Sequence, residues 1–106
     1  NYKKNIIYSL SDPESGIVKY IGKTSKTLDK RLSSHINDAK YRKKTNARLS
    51  WIKSLINKGL EPKIEEIDIV NESISDVIEI YWISQFKAWG FLLKNGTEGG
   101  EGGLLS

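Results

Sequence analysis

A chain of 106 residues with 38% hydrophobic content is long enough for one core and too short for two. Its net charge of +4, with a pI near 9.3, favours an anionic partner. Cysteine is absent, which excludes a disulfide framework and any thiolate metal site. No apolar run approaches the roughly 18 residues that span a bilayer, and no signal peptide is evident. An intracellular, cytoplasmic protein with no membrane partner is therefore expected. Residue 1 is Asn and the chain contains no Met, so a piece of a longer reading frame, or a trimmed product, is expected.

In chain order, "NIIYSL" (5–10) and "IVKYIG" (17–22) are β-branched and aromatic runs separated by the turn-forming "SDPESG". They predict a β-hairpin. Thr27 is an N-cap candidate for a first helix in which Leu28, Leu32, Ile36 and Ala39 share one face. "KYRKKTNAR" (40–48) is a basic connection. A second helix is predicted from about Asn46 to Lys58, with Leu49, Ile52, Leu55 and Ile56 inward and Gly59 as the C-terminal stop. "KIEEIDIV" (63–70) predicts a third strand. Ser73 begins a capping sequence for a third helix that reaches about Ala88 and breaks at Gly90. The order β-β-α-α-β-α predicts an α+β fold with a small, three-stranded, mainly antiparallel sheet flanked by helices.

Several polar residues stand out against this frame. Tyr8 and Tyr20 occupy the two hairpin strands. If residues 12–16 form a five-residue loop, Ser11 pairs with Ile17 and Tyr8 faces Tyr20. A slip of one residue separates them, so the register is open. Gly22 ends the second strand and lets backbone or ligand approach closely; Lys23 and Thr24 follow it. Arg31 and His35, the sole histidine, lie at i and i+4 on one helix face, off the Leu28/Leu32/Ile36 stripe. The guanidinium suits a phosphate and the imidazole titrates near neutrality; a solvated polar face is the plainer reading. Glu79 sits in "VIEIYWI" (77–83), the most apolar helical stretch, with Trp82, Ile83 and Phe86 nearest on the wheel. A carboxylate there needs a cation, either a metal or a basic side chain. Asn95, in "LLKNGTEGG", is either a turn former or an amide that holds an active-site group or phosphate.

Taken in order, "IIY" (6–8), "YIGKT" (20–24), "KRLSSH" (30–35), "EIYWI" (79–83) and "NGTEGGEG" (95–102) resemble the GIY-YIG nuclease family across nearly the whole chain. The resemblance implies a small three-stranded antiparallel sheet flanked by helices. It also implies catalytic roles for Tyr8, Tyr20, Arg31, His35 and Glu79. Gly22 falls on the glycine of the second motif, Asn95 on the late asparagine, and Lys23 is assigned a phosphate contact. One departure is Ile6, where the family usually has Gly.

What the resemblance implies chemically is hydrolysis of a double-stranded DNA phosphodiester with one Mg²⁺ (or Mn²⁺) per active site, the metal held by Glu79. One carboxylate agrees with a one-metal scheme, because Mg²⁺ commonly takes one or two carboxylates and keeps several waters. Arg31 would stabilise developing charge, and Tyr8, Tyr20 or His35 would handle the proton. Residues 1–95 are expected to form the catalytic domain. The glycine-rich 96–106 would be a tail or the start of a linker to C-terminal DNA-binding modules, as in a homing enzyme. Restriction and repair nucleases of the same family remain alternatives. So does an inactive nucleic-acid-binding module, with Lys40, Arg42, Lys43, Lys44 and Arg48 as a basic surface that contacts phosphates without sequence preference. A purely structural interaction domain would leave Trp51, Trp82 and Trp89 as core and Glu79 unexplained.

Overall fold

The computed structural model describes residues 3–95. The expected tail, 96–106, lies outside the described residues. Strands β1 (Lys4–Ser11), β2 (Val18–Thr24) and β3 (Lys63–Asn71) form one antiparallel sheet in the order β2-β1-β3. Helices α1 (Leu28–Tyr41), α2 (Ala47–Asn57) and α3 (Ser75–Ala88) complete the α+β fold, with a single 3₁₀ turn at Glu72–Ile74 before α3.

α1 and α2 each start where a side chain takes up an orphan backbone N–H. Thr27 accepts from the Lys30 N–H and Asn46 from the Leu49 N–H. Gly59 (φ 78°) and Gly90 (φ 97°) end α2 and α3 in the left-handed conformation that favours glycine. The third helix begins at Ser75, one residue later than a Ser73 cap would place it, and its N-cap Ile74 makes no side-chain cap bond. Asn71 caps the 3₁₀ turn by accepting from the Ser73 N–H, and α3 proper starts at the buried Ser75.

β1 is the central strand, and both of its faces are covered. Tyr8 and Leu10 pack with Tyr20, Ala39, Leu49 and Ile52 beneath α1 and α2. On the opposite face Asn5 donates to the Ser75 hydroxyl, tying β1 to the start of α3. Ile7, Leu10, Ile21 and Ile52 are fully buried, and each contributes about 1.5–3 kcal/mol by leaving water.

The hairpin register differs from the expected one. Ser11 pairs with Val18, Lys19 is bulged out, and Leu10 pairs with Tyr20. Tyr8 therefore faces Gly22, two residues beyond Tyr20. Two one-residue shifts add to an even number, so both tyrosines still share a face. Their ring centroids lie 6.3 Å apart, as a diagonal pair. A second bulge, at Ile67 on β3, flanks Tyr8 from the other side. Bulges re-aim side chains, and here both adjoin the tyrosine-bearing segment.

Gly22 does not end β2, which continues to Thr24. Its lack of a side chain serves Tyr8: a Cβ built on Gly22 would lie 2.5 Å from Tyr8 Oη and 2.9 Å from Tyr20 Cε2. The close approach is made by a phenol of the protein itself. Gly22→Ala should therefore lower stability by about 1–3 kcal/mol, the usual cost of overpacking. The expected readout is a lower urea midpoint at unchanged m-value; an unchanged midpoint would show that the ring has room to move.

Candidate active site

Tyr8 is the centre of the polar cluster. It is fully buried, and its hydroxyl has two partners. Arg31 Nε donates to Tyr8 Oη at 3.0 Å, and Tyr8 Oη lies 2.7 Å from His35 Nε2. A guanidinium can only donate, so the phenol oxygen accepts from Arg31. The phenol proton then needs an acceptor, and His35 Nε2 is the one in reach among the described residues. Neutral His35 thus carries its proton on Nδ1, which is buried with no hydrogen-bond partner among the described residues.

The charge environment agrees with that assignment. Burial, followed by the Arg31 and Arg48 charges, pushes the His35 pKa down from 6.5 to about 3. Burial and the neighbouring Tyr20 push Tyr8 well above the usual phenol value, and the Arg31 charge and hydrogen bond pull it partly back.

His35 was expected off the apolar stripe of its helix. It is instead buried, at 1% exposure. At about 100° per residue it falls about 20° from Leu28, seven residues earlier, and so lies on the inward stripe. Arg31 is half-buried beside it.

Tyr20 is almost buried and stacks edge-on against His35, with centroids 5.5 Å apart. A residue that sequence reasoning assigned to the basic surface turns inward here. Arg48 Nη1 donates to Tyr20 Oη at 3.3 Å, and its guanidinium carbon lies 5.5 Å from the Tyr20 ring centroid. The signal for it was present: Arg48 is four residues before Ile52 and seven before Leu55, on the inward face of α2.

Lys23 and Glu79 approach from the other layer. Lys23 follows Gly22 on β2 and so points to the opposite face, where its ammonium pairs with Asp76 in the first turn of α3. Its hydrogen bond to the Asp76 carboxylate raises its pKa. Glu79 is one turn further along α3, half-buried on the same side as Trp82, Ile83 and Phe86. It makes no ion pair or hydrogen bond among the described residues. Burial raises its pKa; Lys23 and Arg31 oppose that rise, and Asp76 adds to it. No group of three or more metal-ligating side chains occurs among the described residues. A metal here would therefore rest on Glu79 as the protein carboxylate. A half-buried carboxylate oxygen without a partner fits a hard cation such as Mg²⁺.

Asn95 spends its amide on the backbone of one residue, Ile21. Oδ1 accepts from the Ile21 N–H at 3.0 Å and Nδ2 donates to the Ile21 carbonyl at 2.6 Å. It mimics a neighbouring strand on the open edge of β2 and holds the backbone between Tyr20 and Gly22.

The layers and side chains define a small α+β domain with a phenol-lined, cationic site and one uncompensated carboxylate. The model of the GIY-YIG catalytic domain matches residues 4–92, and the chain belongs to the GIY-YIG family. No match is found among curated proteins or among solved structures. The chain is thus a nuclease domain, and no helix among the described residues is long and apolar enough to cross a membrane.

His35 should show no titration between pH 5 and 8. Imidazole ¹⁵N shifts should report the Nδ1-protonated tautomer at neutral pH, whereas a midpoint near 6.5 would show a solvated ring. The folded pKa lies below the unfolded one, so the unfolded chain binds the extra proton. His35 accordingly contributes its stability in full above about pH 6.5, and the contribution is lost as pH falls toward 3. Replacing His35 should flatten the urea midpoint in that window.

Proposed function

We propose that this domain is a DNA endonuclease that hydrolyses a phosphodiester bond with one Mg²⁺ (or Mn²⁺) held by Glu79. The observation that carries the proposal is the Arg31–Tyr8–His35 chain of hydrogen bonds, in which a neutral imidazole is poised to accept the Tyr8 proton. Its support is the geometry of the chain together with membership of a nuclease family.

In this reading Arg31 leaves Tyr8 to bind the scissile phosphate, where its fork stabilises the charge that develops at phosphorus. The same movement uncovers Tyr8 Oη, which is otherwise closed to water. A water entering there gives a proton to Tyr8 as Tyr8 passes its own to His35 Nε2. No free phenolate is needed, which matters because burial makes phenolate unfavourable at Tyr8. The water oxygen bonds to phosphorus, the bond to the leaving oxygen breaks, that oxygen takes up a proton from solvent, and the proton held on His35 returns to solvent through Tyr8 on product release. The phosphate's negative charge offsets Arg31 and Arg48 and raises the basicity of His35 at the step that needs it. When bound at Glu79, the divalent cation supplies Lewis-acid stabilisation of the phosphate and leaving oxygen. Tyr20 donates a hydrogen bond from its hydroxyl to the phosphate or the water. Lys23 keeps positive charge near Glu79, and Asn95 fixes the β2 backbone.

The biological role we favour is the nuclease part of a homing endonuclease, with DNA target choice residing in separate C-terminal modules. What supports it is composition: a +4 domain with limited surface for a long site, and the glycine-rich 96–106 that reads as linker.

Nicking of supercoiled plasmid with and without Mg²⁺ tests the chemistry. Glu79→Gln should reduce cleavage to background. In the metal-free protein it should raise Tm by about a few degrees, because a half-buried charge is removed. Near wild-type cleavage by this variant would sink the metal role. Arg31→Ala should lower kcat by about 10²–10³-fold with a much smaller change in DNA Kd. A loss confined to Kd would make Arg31 a binding residue only.

A further inference from the structure

Arg48 is placed at a cost that the fold alone does not explain. It is the second residue of α2, after the Asn46 cap, where a positive charge opposes the helix dipole. Its Nε is buried and has no hydrogen-bond partner among the described residues, which carries a desolvation penalty. The first turn of α2 contains no acidic residue to offset either cost. What the side chain gains is Tyr20: one N–H on the hydroxyl, and the guanidinium near the ring.

That contact settles the polarity of the Tyr20 hydroxyl. The guanidinium is donor-only, so the phenol oxygen accepts from Arg48 and its proton must be donated elsewhere. Among the described residues nothing accepts that proton. The two tyrosines are thus treated in parallel, each with one arginine on its oxygen. They differ in the proton's destination: Tyr8 sends its proton inward to His35, whereas the Tyr20 proton has no internal acceptor.

We propose that Arg48 is a positioning residue of the nuclease site, fixing the Tyr20 hydroxyl as a hydrogen-bond donor to a phosphodiester oxygen. The inference rests on the proposed role of Tyr20 in cleavage. Arg48 itself does not touch the substrate. Its effect passes through Tyr20, which its planar fork orients better than a lysine would.

The test is a double-mutant cycle on single-turnover plasmid nicking with Mg²⁺, using Arg48→Met, Tyr20→Phe and the double variant. Met preserves much of the aliphatic stem, and Arg48→Lys serves as a second probe if the Met variant fails to fold. Arg48→Met should lower the cleavage rate by about 10²-fold, as expected for misplacement of an orienting group. Tyr20→Phe should lose a similar factor, and the double variant should be no slower than Tyr20→Phe. Arg48→Lys should recover only part of the rate. The salt dependence of DNA binding should be unchanged by Arg48→Met.

Losses that multiply in the double variant, or a salt slope reduced by about one, would show that Arg48 neutralises a phosphate directly and overturn the proposal. A wild-type rate for Arg48→Met beside an impaired Tyr20→Phe would overturn it while sparing the role of Tyr20. A wild-type rate for Tyr20→Phe would overturn the Tyr20 role, and the proposal with it.

Discussion

One phenol oxygen in a dry core constrains this domain. Tyr8 lies at the middle of the central strand, with no exposed surface, and an unpaired hydroxyl there would cost about 1–3 kcal/mol. The structure satisfies it from both directions, with a donor from Arg31 and an acceptor on His35. Those partners in turn dictate much of their surroundings. α1 must present an arginine and a histidine one turn apart over the sheet, and the strand beside Tyr8 must carry no Cβ where the ring lies. The two β-bulges adjust the neighbouring strands to that ring. The most polar contacts of the α1–α2 layer are thus embedded in its hydrophobic cluster, which packs closely around the Tyr8 and Tyr20 rings.

Electrostatics divides the site between two layers. Arg31 and Arg48 stand on the tyrosine side, while Lys23 and the carboxylates Asp76 and Glu79 stand on the α3 side. Asp76 takes Lys23 as an ion-pair partner, but it is exposed and the pair adds little stability. Glu79 keeps its charge uncompensated by contact, and burial resists that charge. A domain selected for stability alone would have an apolar or amide residue at this position. Retaining the carboxylate is the kind of local penalty that folds tolerate at functional sites.

Much of the architecture was legible in local sequence. Helix stripes at Leu28/Leu32/Ile36 and Leu49/Ile52/Leu55, the caps Thr27 and Asn46, and the stop at Gly59 all express short-range physics. The β-β-α-α-β-α order follows from them. What eluded local reasoning depends on distant partners. The bulges at Lys19 and Ile67 leave no periodicity signal, so the Tyr8 register came out two residues away from the simplest hairpin. His35 looked like a surface residue because imidazole is polar, yet its angular position lies on the apolar stripe. Arg48 was grouped with its basic neighbours by composition, although its spacing to Ile52 and Leu55 pointed inward. Asn95 carried an ambiguity between turn and site, and the structure shows its amide engaged with Ile21, far upstream.

That last contact has a consequence for how the molecule comes into being. The hydrogen bonds between Asn95 and Ile21 span 74 residues, and the Asn5–Ser75 bond spans 70. Contacts of such separation raise the loop-closure entropy of folding and slow it. They also order events during synthesis. Until Asn95 leaves the ribosome, the outer edge of β2 at Ile21 lacks its cap and could pair with the strand of another nascent chain. The segment that carries Tyr20 and Gly22 is held on one side by β1 and gains its second set of backbone hydrogen bonds when Asn95 docks. A nascent chain therefore holds Tyr8, Tyr20, Arg31, His35 and Glu79 before it holds the Asn95 clasp on β2.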